Sequence, residues 1–273
     1  MVGEFPIDFE DRKTLGRTGE RVSAIGLGTW GIRNYSKAEE VLLHAIELGI
    51  DLIDTAEMYG SGMAEVLVGR VVKKAGRDRV FITTKMLPHH LAWKDEVIKA
   101  GKASLRRMGV EEADLFLIHW PNPSVSISKQ VKNFEALIDE GLTRYIGVSN
   151  FDVEDLREAV DSTKKADIVV NQVHYSVVHR EYVERYLLPL CIREGISIQA
   201  YTPLEKGTVV SHEVVRSVAR RLGKTPIQVA LNYLISRPKV HAIPKTEDRD
   251  HLLEILGALG WRLPREFIKE LER

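Results

Sequence analysis

Apolar and polar positions alternate in two patterns along the chain. Short apolar runs, rich in Val, Ile and Leu, are followed by longer segments whose apolar positions recur every three or four residues. The first pattern is typical of buried strands and the second of amphipathic helices. A glycine follows most of the longer segments, where it would end a helix.

The pattern predicts eight strands, at residues 23–27, 50–54, 80–85, 115–119, 145–149, 168–172, 197–201 and 242–244. Helices are predicted between them, at residues 36–48, 63–74, 95–108, 128–140 and 153–162, then ending at Gly195, then at 213–222 and 226–236. Ser36 and Glu39 have the spacing of a capping box at the start of the first helix. The two short runs around Gly16 and Gly19 predict a small hairpin before the first strand.

Strands alternating with helices predict a parallel sheet buried on both faces, in an open doubly wound sheet or a closed barrel. Six of the strands end in a polar or ionisable residue. An open sheet concentrates function at one switch point, whereas a barrel collects residues from many strand ends around one mouth. We therefore predict an α/β fold: one (β/α)8 TIM barrel domain over residues 1–273, with an N-terminal hairpin and extra helices. The strand-end residues are Asp54, Lys85, His119, Ser149 with Asn150, Gln172 and Tyr201.

A glycine motif at the first strand indicates a different cofactor site. Gly26, Gly28 and Gly31 satisfy the GxGxxG pattern of a Rossmann dinucleotide site, with Asp51 and Asp54 downstream. That site needs the third glycine to open a helix whose N-terminus meets the pyrophosphate. The next helix is predicted to start only at residue 36, so we disfavour this interpretation.

Composition excludes several classes of protein. Lys plus Arg number 39 and Asp plus Glu also 39, so no bulk charge favours nucleic acid or a membrane surface. The N-terminus lacks the layout of a signal peptide and no apolar run is long enough to span a bilayer, so we expect a cytoplasmic protein. Cys191, the one cysteine, is predicted to be buried and inert. High charge with only ten Asn and Gln residues is associated with thermophilic sources.

Four of the polar residues form a candidate catalytic group. Tyrosine has a pKa near 10, and an adjacent Lys85 ammonium should lower the pKa of Tyr59; two units correspond to about 2.7 kcal/mol. Asp54 would be the counter-ion of Lys85, and His119 would hold a substrate carbonyl. Taken singly, these residues could instead be a structural ion pair, a half-buried aromatic and a strand-end histidine. No metal site is predicted, since the histidines lack the spacing of a zinc-binding pair.

At these residues the chain resembles the aldo-keto reductase family, over about residues 15–263. The motifs are Gly-Leu-Gly-Thr-Trp at 26–30, Asp54-Thr-Ala-Glu-Met-Tyr59, Thr84-Lys85, Leu117-Ile-His119-Trp-Pro121, Gly147-Val-Ser149-Asn150-Phe151, Asn171-Gln172, Tyr201-Thr-Pro-Leu204 and Ile243-Pro-Lys245-Thr246. The resemblance implies that Asp54, Tyr59, Lys85 and His119 are the catalytic tetrad, with Tyr59 as general acid in reduction.

The resemblance also implies that a nicotinamide cofactor lies across the barrel mouth. Ser149, Asn150 and Gln172 would hold the carboxamide, Tyr201 would stack on the ring, and Leu204 lies in the loop expected to cover the pyrophosphate. Trp30 and Trp120 match positions lining the substrate pocket. The remaining implied cofactor residues are Thr29, Thr202, Lys245, Thr246, His251 and Glu254.

Three positions depart from the family pattern. Thr202 stands where a serine is common, while His251 and Ile255 stand where an arginine and an asparagine are common. Lys245 and Thr246 match the positions that meet the adenosine 2'-phosphate and favour NADP(H), but the missing arginine and the nearby Asp248 and Asp250 weaken discrimination. We therefore expect NADP(H) as cofactor, with NAD(H) also accepted.

Taken together, the sequence predicts an NAD(P)H-dependent oxidoreductase that interconverts aldehydes or ketones and alcohols. Its partner would be a small-molecule substrate, and we expect a monomer. Two alternatives within the same fold remain: a cofactor-sensing regulatory subunit and a structural protein without turnover. The tetrad argues against the structural protein.

Overall fold

A computed structural model describes residues 5–273 of the chain. Residues 1–4 lie outside the described residues. They include the first residues of the predicted domain and of the N-terminal segment that lacks the layout of a signal peptide. Two antiparallel strands, β1 (Arg12–Thr14) and β2 (Arg21–Ser23), form the predicted hairpin, with Lys13 opposite Val22.

The eight remaining strands are parallel and lie side by side in chain order. A bridge between Ile25 and Ala242 and the hydrogen bond from Gly28 N to Pro244 O join the first strand to the last, which closes the barrel. The predicted fold is confirmed. The strands are β3 (Leu27–Gly28), β4 (Leu52–Asp54), β5 (Phe81–Met86), β6 (Ala113–Ile118), β7 (Thr143–Ser149), β8 (Ile168–His174), β9 (Ser197–Tyr201) and β10 (Val240–Ala242).

The helices are α1 (Tyr35–Glu47), α2 (Met63–Ala75), α3 (Lys94–Met108), α4 (Ile127–Phe134), α5 (Ala136–Asp139), α6 (Val153–Ser162), α7 (Leu188–Glu194), α8 (Glu213–Leu222), α9 (Pro226–Ile235), α10 (Arg249–Leu256) and α11 (Arg265–Leu271). Short 3-10 turns cover Tyr59–Gly62, Arg77–Arg79, Pro88–His90 and Glu205–Ser211, and a π turn covers Val183–Leu187.

Local predictions were wrong at four places. The last strand, predicted over 242–244, lies two residues earlier, at Val240–Ala242. Ser23 belongs to the hairpin, so the first barrel strand is shorter and later than predicted. The N-cap of α1 is Asn34, whose side chain accepts a hydrogen bond from Lys37 N, and the predicted capping box at Ser36 is absent because Ser36 is already helical. The single helix predicted over 128–140 is divided at Glu135. The Rossmann interpretation fails as expected, since Gly31 (φ 68°) precedes α1 without opening it.

Alternate residues of the central strand β6 face two different apolar clusters. Phe116 and Ile118 pack outward in the large cluster shared with the helices, whereas Leu115 and Leu117 pack in a smaller cluster. Leu15 and Val22 of the hairpin belong to that smaller cluster. The hairpin therefore closes the barrel at the amino ends of the strands, and the polar strand-end residues lie at the opposite mouth.

Candidate active site

The predicted catalytic residues lie together at the carboxyl ends of three adjacent strands. Lys85, fully buried in β5, donates to both carboxylate oxygens of Asp54 at 2.7 Å, to Thr55 O at 2.8 Å and to the Tyr59 hydroxyl at 3.0 Å. The side chain of Gln172 donates to the same carboxylate at 2.7 Å. The ammonium thus joins the carboxylate to the phenol inside the barrel mouth.

Burial and the neighbouring charges together set the pKa values of Asp54 and Lys85. For Asp54, burial raises the pKa despite the nearby Lys85 ammonium and the Gln172 amide. For Lys85, burial alone lowers the pKa, but the Asp54 carboxylate and Tyr59 outweigh it, and the net direction is upward.

The prediction that the Tyr59 pKa lies below its ordinary value is wrong. Burial raises the Tyr59 pKa, Lys85 opposes that rise, and Asp54 adds to it. The Asp54 counter-ion that stabilises the buried ammonium also disfavours the phenolate, and desolvation of the phenol disfavours it more strongly still. Tyr59 is therefore a neutral phenol that can donate a proton throughout the neutral pH range.

His119 lies beside the phenol at the end of β6. Its ring is edge-on to Tyr59, with centroids 5.7 Å apart, and it contacts Trp120 at 4.6 Å. Burial, with a contribution from the Lys85 charge, lowers the His119 pKa to about 3. The imidazole is therefore neutral at pH 7, and its Nδ1 is buried without a hydrogen-bond partner. A neutral ring of this kind can hold a substrate oxygen by a single N–H.

The turn that carries Tyr59 contains three consecutive left-handed residues: Gly60 (φ 55°), Ser61 (φ 54°) and Gly62 (φ 89°). A Cβ at Gly62 would meet Cδ of Arg107 at 2.6 Å. This close approach ties the turn to α3.

Sequence reasoning missed the ionic contacts behind this turn. Arg107 Nε donates to the fully buried Glu65 at 2.5 Å, and the other Glu65 oxygen accepts from the Thr84 hydroxyl at 2.7 Å. Glu57 accepts from Leu87 N at 2.5 Å. The only signal in the sequence was an acidic residue in the first turn of α2, which by itself is common at helix starts.

The residues expected at the nicotinamide carboxamide form one hydrogen-bonded chain. Asn150, with φ 59°, donates to His119 O at 3.0 Å and to the Ser149 hydroxyl at 3.1 Å, and it accepts from the Tyr201 hydroxyl at 2.8 Å. Ser149 donates to Gln172 O at 2.8 Å. Thr29, also buried here, donates to Asp54 O at 3.0 Å.

Two histidines, which the sequence placed in no site, stack beside Tyr201. The rings of His174 and His179 lie 4.0 Å apart, and His174 stacks on Tyr201 at 5.7 Å. His174 Nε2 is 2.8 Å from a Glu205 carboxylate oxygen. One face of the Tyr201 ring is therefore supported by protein.

The segment after β9 contacts the loop after β3. Thr202, Glu205 and Lys206 all have positive φ, and Leu204 packs partly buried against the core. The Lys206 ammonium lies over the half-exposed ring of Trp30, 5.6 Å from its centroid. The segment thus connects the end of β9 to the loop after β3.

The residues expected at the adenosine phosphate follow β10. Lys245 forms an ion pair with Glu247, a residue that the sequence analysis did not single out. The Thr246 hydroxyl donates to Asp248 O at 3.1 Å and accepts from Asp248 N at 3.0 Å. His251, in the first turn of α10, is exposed, and Glu254, one turn further on, is partly buried.

Over residues 5–273, no three His, Cys, Asp or Glu side chains are grouped so that they could hold a metal ion. Within the same residues, no helix combines the length and the apolar character needed to cross a membrane. Cys191 is buried, as predicted, and burial raises its pKa to about 12, which makes it unreactive.

The donor set at the mouth fits a dinucleotide. Hydroxyl and amide groups suited to a carboxamide lie beside a flat aromatic ring. Lys245 and the backbone amides of Arg33 and Asn34, which together hold the Glu247 carboxylate, make an anion site. A neutral phenol held by a buried lysine and carboxylate defines a barrel enzyme equipped to protonate an oxygen that gains negative charge.

Comparison with known proteins agrees with this class. The model of the Aldo/keto reductase family matches residues 24–273. The chain is 36% identical to methylglyoxal reductase YeaE of Escherichia coli K12 over 259 residues, covering 92% of this chain and 90% of the relative.

Solved structures give the same result. A thermostable aldo-keto reductase in complex with the inhibitor epalrestat has a TM-score of 0.90 and 37% identity, covering 96% of this chain and 98% of that one. An aldo/keto reductase from Klebsiella pneumoniae in complex with NADP and acetate has a TM-score of 0.89 and 32% identity, covering 96% and 94%.

The chain therefore belongs to the aldo/keto reductase family. The prediction that it is an oxidoreductase of carbonyl compounds is confirmed by this membership, and the alternatives without turnover are not favoured.

Proposed function

We propose that this protein reduces small aldehydes and ketones with NADPH, with Tyr59 as the proton donor. The observation that carries the proposal is the Lys85 ammonium, which lies 2.7 Å from Asp54 and 3.0 Å from the Tyr59 hydroxyl, beside a neutral His119. When bound, NADPH supplies the hydride. The reverse reaction, oxidation of an alcohol, would use Tyr59 as the base.

Each residue of the tetrad has a separate task in this proposal. The neutral His119 ring orients the carbonyl oxygen by a hydrogen bond, and the Tyr59 hydroxyl transfers its proton to that oxygen as negative charge develops there. Lys85 stabilises the phenolate that remains, and Asp54 keeps Lys85 charged and in place.

The carboxamide chain and the anion site would hold the two ends of the cofactor. Ser149, Asn150 and Gln172 would bind the carboxamide and Tyr201 would support the ring, with Thr29 behind them at Asp54. The segment with Thr202 and Leu204 would cover the pyrophosphate, and the segment with Lys245, Thr246, His251 and Glu254 would bind the adenosine end.

Small 2-oxoaldehydes are the proposed substrate class, because relatives from Escherichia coli are named methylglyoxal reductases. Trp30, half exposed, and Trp120, next to His119, would border the bound substrate. We also propose a monomeric, cytoplasmic enzyme of thermophilic character that accepts NADH besides NADPH.

The test measures loss of nicotinamide absorbance with NADPH and a panel of aldehydes that includes methylglyoxal, for the parent and for Tyr59→Phe. The variant should lose turnover by about a hundredfold or more, because only the proton donor is removed. Tyr186→Phe, which removes a hydroxyl from an exposed tyrosine, should retain the parent rate. Absence of turnover in the parent, or a Tyr59→Phe variant that keeps most of its kcat, would refute the proposal.

A further inference from the structure

An acidic side chain occupies the position where the cofactor phosphate is expected. Besides its ion pair with Lys245, the Glu247 carboxylate accepts hydrogen bonds from Arg33 N at 3.1 Å and from Asn34 N at 2.7 Å. Its side chain is only 16% exposed. Glu247 is therefore held from two sides, by the segment after β10 and by the loop that leads into α1.

The three groups around Glu247 constitute an anion site. One is an ammonium, and the other two are successive backbone amides immediately before α1, a helix of 13 residues. Backbone amides and a lysine are the groups that proteins use to bind phosphate. Burial raises the Glu247 pKa, but the hydrogen bonds from Lys245 and from the two amides lower it by more, so its net shift is downward. The carboxylate is therefore charged at neutral pH.

The rest of this segment offers a phosphate little compensation. The Thr246 hydroxyl already donates to Asp248 O, and the Asp248 carboxylate accepts from Asp250 N and His251 N at the start of α10. A 2'-phosphate would have to displace Glu247 from Lys245 against this added negative charge. A ribose 2'-hydroxyl, in contrast, can donate a hydrogen bond to a carboxylate that stays where it is.

We infer that Glu247 is a specificity-determining residue that competes for the anion site of Lys245, Arg33 N and Asn34 N, and so lowers the preference for NADP, with its 2'-phosphate, over NAD. The inference rests on the proposed use of a nicotinamide dinucleotide at this mouth. It adds that discrimination between the two dinucleotides is set by a carboxylate of the chain itself rather than by Lys245 alone.

The experiment measures dissociation constants of NADP⁺ and NAD⁺ by calorimetric titration, without substrate, for the parent, Glu247→Gln and Glu266→Gln. Glu247→Gln keeps an acceptor for the two amides but removes the charge that competes for Lys245. NADP⁺ should then bind about tenfold more tightly, while the NAD⁺ affinity stays within about twofold or weakens. Glu266→Gln removes an exposed acid of α11, outside the proposed cofactor site, and should leave the ratio of the two dissociation constants within about twofold of the parent's.

Three results would overturn the inference. An unchanged ratio of the NADP⁺ and NAD⁺ dissociation constants in a folded Glu247→Gln variant would show that Glu247 does not compete with the phosphate. The cofactor proposal would still stand in that case if the parent binds both dinucleotides. Equal weakening of both would show that Glu247 only anchors the loop. A parent that binds neither dinucleotide would refute the cofactor proposal and the inference with it. Glu247→Ala, if Glu247→Gln is unstable, must shift the ratio in the same direction.

Discussion

Replacing Lys85 with methionine tests whether the buried charges act as one unit. Methionine has a similar length but no charge and no donor, so the Asp54 carboxylate would lose two hydrogen bonds of 2.7 Å. One donor side chain, Gln172, would still contact it at 2.7 Å. Because Asp54 is itself only 3% exposed, water cannot replace the missing partner.

The expected cost is large and depends on pH. Removing one partner of a buried ion pair lowers the free energy of unfolding by about 3–5 kcal/mol. The whole free energy of unfolding of a protein is only about 5–15 kcal/mol. Burial already raises the Asp54 pKa in the parent, and without Lys85 that pKa must rise further. A carboxyl whose folded pKa exceeds its unfolded value of about 3.9 is most favourable to folding below that value, and this stability is lost as pH rises toward the folded pKa.

The gap between variant and parent should therefore widen with pH. As pH rises toward the Asp54 pKa of the parent, both proteins lose stability at the same rate. Above that pKa only the variant continues to lose stability, by up to about 1.4 kcal/mol per pH unit. Urea unfolding at pH 5 and pH 8 measures this difference. The double variant Lys85→Met/Asp54→Asn should recover much of the loss at pH 8, because it leaves no buried charge unpaired.

Lys99→Met serves as the matched control. Its side chain is 75% exposed on α3, so the change should stay within about 0.5 kcal/mol. The reasoning would be refuted by a Lys85→Met cost below about 1 kcal/mol at pH 8, or by a double variant no more stable than the single one.

Two further predictions concern pH and heat. For reduction, kcat/KM should be level between about pH 5 and pH 9, because His119, with a pKa lowered to about 3, stays neutral and Tyr59, with its pKa raised above 10, stays protonated. A fall in activity centred below pH 9 would show that the Tyr59 pKa is lowered after all. Calorimetry should give a melting midpoint above about 65 °C, as the charged composition with few amides suggests, and a midpoint of about 45–65 °C would contradict the thermophilic assignment.

The barrel could be predicted because its evidence is local. Each strand is an apolar run, most helices end at a glycine, and residues such as Asp54 and His119 mark strand ends within a few positions. Parallel strands of a barrel place such residues at one mouth whatever the loops do. The positions of the predicted tetrad therefore required no knowledge of long-range contacts.

The direction of the Tyr59 pKa could not be predicted in the same way. It depends on how completely the phenol is desolvated and on the sum of opposing charges from Lys85 and Asp54. Those quantities follow from packing depth and distances, which residue identities along one strand do not contain. The anchoring of Glu247 was missed for a related reason, since the amides of Arg33 and Asn34 that hold it lie more than 200 positions away in sequence.

The same limitation applies to the contacts that position the proton donor, and these have a mechanistic consequence. Arg107, on α3, packs against Gly62 of the left-handed turn and bonds Glu65 at 2.5 Å. Glu65 in turn accepts from Thr84 at 2.7 Å, and Thr84 is the neighbour of Lys85 in β5.

These contacts connect Tyr59, the proton donor, to β5 by two separate routes. Tyr59 is joined to Lys85 directly, at 3.0 Å on the inner face of β5, and again through the turn, Arg107 and Glu65 on its outer face. Successive residues of a strand point to opposite faces. Thr84 can therefore contact Glu65 on the outer face while Lys85 contacts Tyr59 on the inner face. A displacement of the turn would therefore break buried charge-assisted contacts on both faces of one strand, and this double constraint keeps the Tyr59 hydroxyl within reach of the ammonium that stabilises its conjugate base.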